Sequence, residues 1–148
     1  MSDEFWMRDA LELARQAAKR GEVPVGALIV REGAVLSRSH NGRESTKDAT
    51  AHAEVLAIRS ASRCVGDWRL TDTTLYVTLE PCPMCAGAIV LARIPRVVFA
   101  ASEPKFGAAG SVFDILQEAR LNHRVNVVKG VLGEESRALL RSFFDERR

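Results

Sequence analysis

A chain of 148 residues, 47% apolar and 27% charged, is long enough to bury a sizeable core. Its formal net charge of +2 is too small to announce a nucleic-acid partner, and no apolar run is long enough to cross a bilayer. The acidic start Met1-Ser2-Asp3-Glu4 reads as no signal peptide, so a cytoplasmic location is expected, where the three cysteines would not form a structural disulfide.

Residues 5–20 carry Trp6, Ala10, Leu13, Ala14 and Ala17 at helical spacing, with Gly21 as a stop. Val23 to Val30 is a nearly continuous apolar run. Arg31-Glu32-Gly33 makes a turn and Ala34 to Ser39 returns, which reads as a hairpin. The polar stretch Asn41 to Asp48 reads as a loop. A helix is expected to start near His52, capped by Asp48 or Thr50, and to run to about Ser62. Thr74 to Leu79 is a strand ended by Pro81, Cys82 to Ala92 a helix, and Arg96 to Ala101 a strand buried on both faces. Beyond the glycine-rich loop Gly107 to Gly110, Val112 to Gln117 suggests a short helix and Val125 to Val128 a last strand. Glu134 to Arg147 is a closing helix with Leu139, Leu140 and Phe143 inward. Strands alternating with helices after the first hairpin imply βαβ units, and unalternating apolar runs imply a sheet covered on both faces. The fold class is α/β: a three-layer α/β/α sandwich on a central mixed sheet of about five strands. No repeat or linker divides residues 1–148, which read as one domain.

Two short segments carry the chemistry, His52-Ala53-Glu54 and Pro81-Cys82-Pro83-Met84-Cys85. A catalytic zinc takes three protein ligands and keeps one position open. His52, Cys82 and Cys85 supply three, and Glu54 is left beside the open position. Cys82 falls where a strand ends and a helix begins, a place that favours thiolate, and Cys85 lies one turn further on the same side. His52 and Glu54, two residues apart, can converge only at a helix start. A lone C-x-x-C is also found in redox and structural sites. A structural zinc would need a fourth ligand, but Cys64 reads as a packing residue past the end of the His52 helix, and His40 and His123 as loop or surface residues.

These two segments resemble the signature of the zinc deaminases of the cytidine deaminase-like superfamily. The resemblance extends to Glu22-Val23-Pro24-Val25-Gly26-Ala27, Thr50-Ala51, Leu75 to Glu80, Gly107-Ala108-Ala109-Gly110-Ser111 and Asn122-His123-Arg124. The last two segments narrow it to the branch that acts on tRNA. The resemblance implies a single zinc-dependent deaminase domain with one Zn2+ per subunit. The activity it implies is an RNA-editing hydrolase that converts adenosine to inosine at the wobble position of a tRNA anticodon, chiefly an arginine tRNA. Hydroxide generated at the metal would attack C6 of the adenine, with Glu54 as the proton shuttle. A cytoplasmic homodimer binding the anticodon stem-loop, with no membrane partner, is also implied.

By the same resemblance Asn41 hydrogen-bonds the purine, Val23 and Pro24 line its pocket, and the backbone of Ala53 and Pro81 contacts the base. Glu103 lies near the target ribose, Lys105 and Phe106 lie beside the anticodon nucleotides, and Arg141, Arg147 and Arg148 meet RNA phosphate. Two positions depart from the family pattern. Ala49 replaces a proline before Thr50, and Glu103 replaces an aspartate, lengthening that side chain by one methylene. The alternatives are a deaminase of a free base such as guanine or cytosine, and a zinc-stabilised nucleic-acid-binding module without catalysis.

Overall fold

The computed structural model describes all residues Met1–Arg148. Helix α1 (Asp3–Lys19) is set by its first turn: the Ser2 hydroxyl accepts the Phe5 N–H at 3.1 Å, and Asp3 and Glu4 sit at the positive end of the helix dipole. Its inner stripe, Trp6, Ala10, Leu13, Ala14 and Ala17, is buried, as the spacing predicts, and Met7 is buried with it. Strands β1 (Gly26–Arg31) and β2 (Ala34–His40) form the hairpin. Polar residues 41–52 contain one helical turn, α2 (Arg43–Thr46), that the sequence reading leaves as loop.

Helix α3 (Ala53–Val65) leads to β3 (Thr73–Leu79), α4 (Pro83–Leu91) and β4 (Arg96–Ala101). Strand β5 (Asn126–Lys129) and helix α5 (Gly133–Asp145) complete the chain. The sheet order is β2-β1-β3-β4-β5, with β1 antiparallel to both neighbours and β3, β4 and β5 parallel, so the sheet is mixed as expected. Helices α3 and α4 pack on one face around a 19-residue core that includes Ile29, Leu75, Ile89 and Phe99. Helix α1 covers the other face over a 9-residue core that includes Leu28, Tyr76 and Val98, with α5 beside it. Two close approaches set these layers. An added Cβ on Gly26 would lie 2.1 Å from the Ala10 carbonyl oxygen, so only glycine lets β1 meet α1 here. On the opposite face Ala53, Ala57 and Ala61 are fully buried, and the Ser37 hydroxyl donates to the Ala57 carbonyl at 2.8 Å.

Four expectations are corrected. Val112–Gln117 is not helical: Gly107 O accepts from the N–H of both Val112 and Phe113, Gly110 N donates to Phe113 O, and Ala109 bridges Asp114. Phe113 O, the acceptor Gln117 N–H would use in a helix, is taken by Gly110, and Gln117 N–H turns instead to the Asp114 carboxylate at 3.3 Å. Asp48 does not cap α3, because its carboxylate accepts the backbone N–H and hydroxyl of Thr50 in a local turn. Cys64 is exposed on the last turn of α3, which runs on to Val65 and stops at Gly66 in the left-handed region. In α5, Phe143 is buried, but Leu139 and Leu140 are only half-buried.

Candidate metal-dependent active site

The site assembles where two helices begin. His52 is the residue before α3, in extended backbone (φ −77°, ψ 150°), and Cys82 holds the same place before α4 (φ −76°, ψ 173°). The extended backbone at His52 followed by helical Ala53 and Glu54 turns residues two apart toward one cavity. Cys85 lies within the first turn of α4 and is fully buried. His52 Nδ1 stands 3.6 Å from Cys82 Sγ and 3.5 Å from Cys85 Sγ, and the three donor atoms lie within 4.8 Å of one another.

The donor chemistry can be tested against a metal. Tetrahedral zinc, with bonds of about 2.3 Å to sulfur and about 2.0–2.1 Å to nitrogen, sets nitrogen and sulfur about 3.6 Å apart. The observed separations fit this value. The group is positioned to bind a metal ion with three protein ligands.

The electrostatics suit that role. The hydrogen bond from the Cys85 thiol, followed by that from His52, holds Cys82 down to about 4, so it is a thiolate. Pairing with Cys82, more than burial opposes it, raises His52. Cys85 is pushed up by its bond to Cys82 and by burial, so a metal must displace its proton. Glu54 is 4% exposed, and burial pushes it up to about 7. A group so placed can take and return a proton near neutrality.

A cavity of about 420 Å³ opens onto these groups, within the usual range for a small-molecule site. Val23, Asn41, His52, Ala53, Glu54, Cys82, Glu103 and Phe106, all named from the sequence, line it. The Asn41 amide donates to Val23 O at 3.4 Å and its carbonyl accepts Arg43 N–H at 3.3 Å, so the side chain is held in place at the wall. Ala53 is the first residue of α3, whose N–H has no intrahelical acceptor. Phe106 is 63% exposed at the mouth.

Other expected residues are not brought to the cavity wall. Pro24 is buried outside it. Pro81 lies outside the lining, with its carbonyl accepting Ala108 N–H at 2.8 Å. Lys105 is exposed on the same loop, outside the lining. Arg141 on α5 and Arg147 and Arg148 beyond it stay away from the cavity. Arg147 lies over the Phe143 ring at 3.6 Å and donates to Phe143 O, and Arg148 faces Asp145 at 3.5 Å.

The sequence reading misses Arg43, Leu79, Met84 and two buried carboxylates. Glu22 is fully buried and accepts the N–H groups of Glu44 and Ser45 at 2.9 and 2.6 Å, anchoring the segment that carries Asn41. Glu80 is 2% exposed and accepts from Glu103, Ala109 and Ser111. Burial opposes its charge, but the Ser111 hydroxyl and the three backbone N–H groups hold it below the ordinary carboxylate range. An acidic residue at the end of an apolar strand, two residues before a metal ligand, is the signal that could have found Glu80.

Comparison with known proteins agrees with this geometry. A family model described as MafB19-like deaminase matches residues 1–148. A tRNA-specific adenosine deaminase of Bacillus subtilis (strain 168) is 51% identical over 146 residues, covering 99% of this chain and 91% of the relative. A chain solved in studies of A-to-I editing by tRNA:A34 deaminases at the wobble position of transfer RNA superposes with a TM-score of 0.87. It is 44% identical over 90% of this chain and 97% of that one. The guanine deaminase of Nitrosomonas europaea superposes with a TM-score of 0.84 at 26% identity, over 96% of this chain and 84% of that one.

Proposed function

The chain belongs to the tRNA-specific adenosine deaminases within the zinc deaminase family, and from that premise we propose that it converts adenosine to inosine at the wobble position of a tRNA anticodon, chiefly an arginine tRNA. The observation that carries the reading is the His52, Cys82 and Cys85 trio at metal-ligand spacing, with the buried carboxylate of Glu54 on the wall of the same cavity. Residues 1–148 act as one deaminase domain holding one zinc ion.

The adenine must leave its stack to reach the cavity. Val23 packs on the base, and Asn41 and the free N–H of Ala53 hydrogen-bond its edge. Bound zinc supplies Lewis acidity that lowers the pKa of a water from 15.7 toward about 7. Glu54 accepts the proton of the attacking water, delivers one to N1 and passes one to the departing amine, and ammonia leaves from C6. The carboxylate of Glu103 faces the ribose, where a 2′-OH can donate to it and help select RNA. Lys105 and Phe106 lie beside the neighbouring nucleotides, with Phe106 stacking on a base, a contact worth about 1–3 kcal/mol in single-strand binders. Arg141, Arg147 and Arg148 lie outside the cavity and serve phosphates further along the stem-loop. The enzyme works as a homodimer in the cytoplasm. No helix is long and apolar enough to cross a membrane.

The test is inosine formation in an arginine-tRNA anticodon stem-loop with adenosine at the wobble position. Free adenosine, guanine and cytosine run in parallel. Inosine in the RNA alone is the expected result. Ammonia release from a free base alone would keep the metal chemistry and overturn the substrate.

A further inference from the structure

The segment between β4 and β5 has no regular secondary structure, yet it forms one wall of the cavity through Glu103 and Phe106. Its fold is organised around an anion supplied by the end of β3. Glu80 Oε1 accepts Glu103 N–H at 3.0 Å and the Ser111 hydroxyl. Its Oε2 accepts Ala109 N–H at 3.0 Å and Ser111 N–H at 3.1 Å. Backbone N–H groups from three separate points of the loop converge on one negative charge, and such charge-assisted bonds are the strong ones. At the loop's tightest point there is no space to spare: a Cβ on Gly107 would sit 2.4 Å from the Glu80 carboxyl carbon and 2.4 Å from Oε2. The adjoining backbone adds two ties, Glu80 N to Ala101 O at 2.8 Å and Ala108 N to Pro81 O at 2.8 Å.

We propose that Glu80 is a positioning residue, whose buried carboxylate fixes the substrate-facing loop 102–111 against the strand end that carries Cys82, and so sets substrate binding independently of the metal centre. Only the substrate's identity rests on the functional reading above. The residue stands one from Pro81 and two from Cys82, but its carboxylate bonds only to the loop and to none of the metal donors. It must also be charged. Glutamine fills the same volume but replaces one acceptor oxygen with a donor, which would face backbone N–H groups that are themselves donors. Buried donors left without acceptors are costly, so the loop would open while β3 and the two cores, which do not depend on it, stay folded.

The experiment uses the full chain with zinc and three variants, Glu80→Gln, Glu80→Asp and Ser111→Ala. Trypsin cleavage after exposed Lys105 under native conditions, with amide exchange at Glu103, Ala109 and Ser111, reads the loop without reference to any substrate. KM and kcat on the anticodon stem-loop read binding against chemistry. Glu80→Gln is expected to speed cleavage at Lys105 and raise KM by about tenfold or more, the scale set by hydrogen bonds to a charged group. Its kcat should stay within about threefold of wild type, with zinc content unchanged. Glu80→Asp, which keeps the charge at shorter reach, should recover part of both effects, and Ser111→Ala should move both in the same direction by less. Unchanged cleavage and exchange, or a fall in kcat at constant KM, would overturn the assignment. If Glu80→Gln fails to fold, Ser111→Ala decides, and wild-type behaviour there overturns it. If the wild-type chain leaves the stem-loop untouched, the substrate reading fails, while cleavage at Lys105 still decides whether Glu80 holds the loop.

Discussion

Glu54→Gln isolates proton transfer from every other property of the site. The two side chains have nearly the same volume, so a residue 4% exposed is replaced without opening a cavity. Glu54 is not among the three residues at metal-ligand spacing, so zinc stoichiometry should not change. The amide cannot carry the proton. A positioned general acid–base group contributes about 10²–10⁴-fold, or about 2.7–5.4 kcal/mol of barrier. Two features point to the upper half of that range: burial puts Glu54 up to about 7, where it can both accept and donate, and the same group serves several transfers in one turnover. The assay is single-turnover inosine formation near neutral pH, with zinc counted on the same sample. A loss smaller than about tenfold would refute the shuttle role. Loss of zinc together with activity would instead place Glu54 among the ligands.

Chelating the metal should abolish deamination and lower the melting temperature but leave far-UV circular dichroism native-like, because neither core is built on the metal; loss of the helical signal would make the site structural. Gly26→Ala should destabilise the fold by about 3 kcal/mol or more in urea titration, since its Cβ would meet the Ala10 carbonyl at 2.1 Å. Asp3→Asn probes the partly buried cluster in which Asp3 takes two bonds from Arg96, at 2.9 and 2.7 Å, and one from the Tyr76 hydroxyl at 2.9 Å. The Arg96 bonds lower the Asp3 pKa below 3.8, so its stabilisation, about 1 kcal/mol, is present above pH 3.8 and lost as pH falls through the depressed value. The gap between wild type and Asp3→Asn should therefore close on acidification, and a constant gap would contradict this. Cys82→Ser should lose stoichiometric zinc yet raise metal-free stability by about 1 kcal/mol, because serine is a strong N-cap and Cys82 makes no cap hydrogen bond.

What was legible in the sequence is what local spacing encodes. The stripe of α1, the hairpin, the strand–helix–strand run through Cys82 and the Cys82–Cys85 pair each depend on neighbours within a few residues, while His52, 30 residues from Cys82, is joined to them by its donor type and the family signature. Features that depend on distant backbone were not legible. The partners of Glu22 lie 22 and 23 residues away, and those of Glu80 lie 23 to 31 residues away. All but the Ser111 hydroxyl are amides with no side-chain identity, so no residue pattern announces them. The helix expected over Val112–Gln117 fails for a local reason instead. Its composition permits a helix, but Phe113 O accepts Gly110 N–H, Gln117 N–H turns to the Asp114 carboxylate, and Leu116 is pulled into the core. Asp48 and Thr50 carry a real cap signal, but it is consumed within the turn before α3.

That misplaced cap bears on how the site is built. Helices α3 and α4 begin at His52 and Cys82, and neither residue forms a side-chain cap bond. These are positions where serine, threonine, aspartate or asparagine would each stabilise a helix by about 1 kcal/mol. The chain instead places an imidazole and a thiolate there and turns both toward one point. The positive ends of two helix dipoles then face the anionic donor set, which favours the thiolate the metal needs. Stability at these two helix starts is thereby made conditional on a bound cation, whereas the loops around the cavity are held by carboxylates that belong to the chain. The bonds of Glu22 and Glu80 to the pocket walls involve none of the metal donors. On this division, Glu54→Gln should leave the walls standing and Glu80→Gln should leave the metal centre filled.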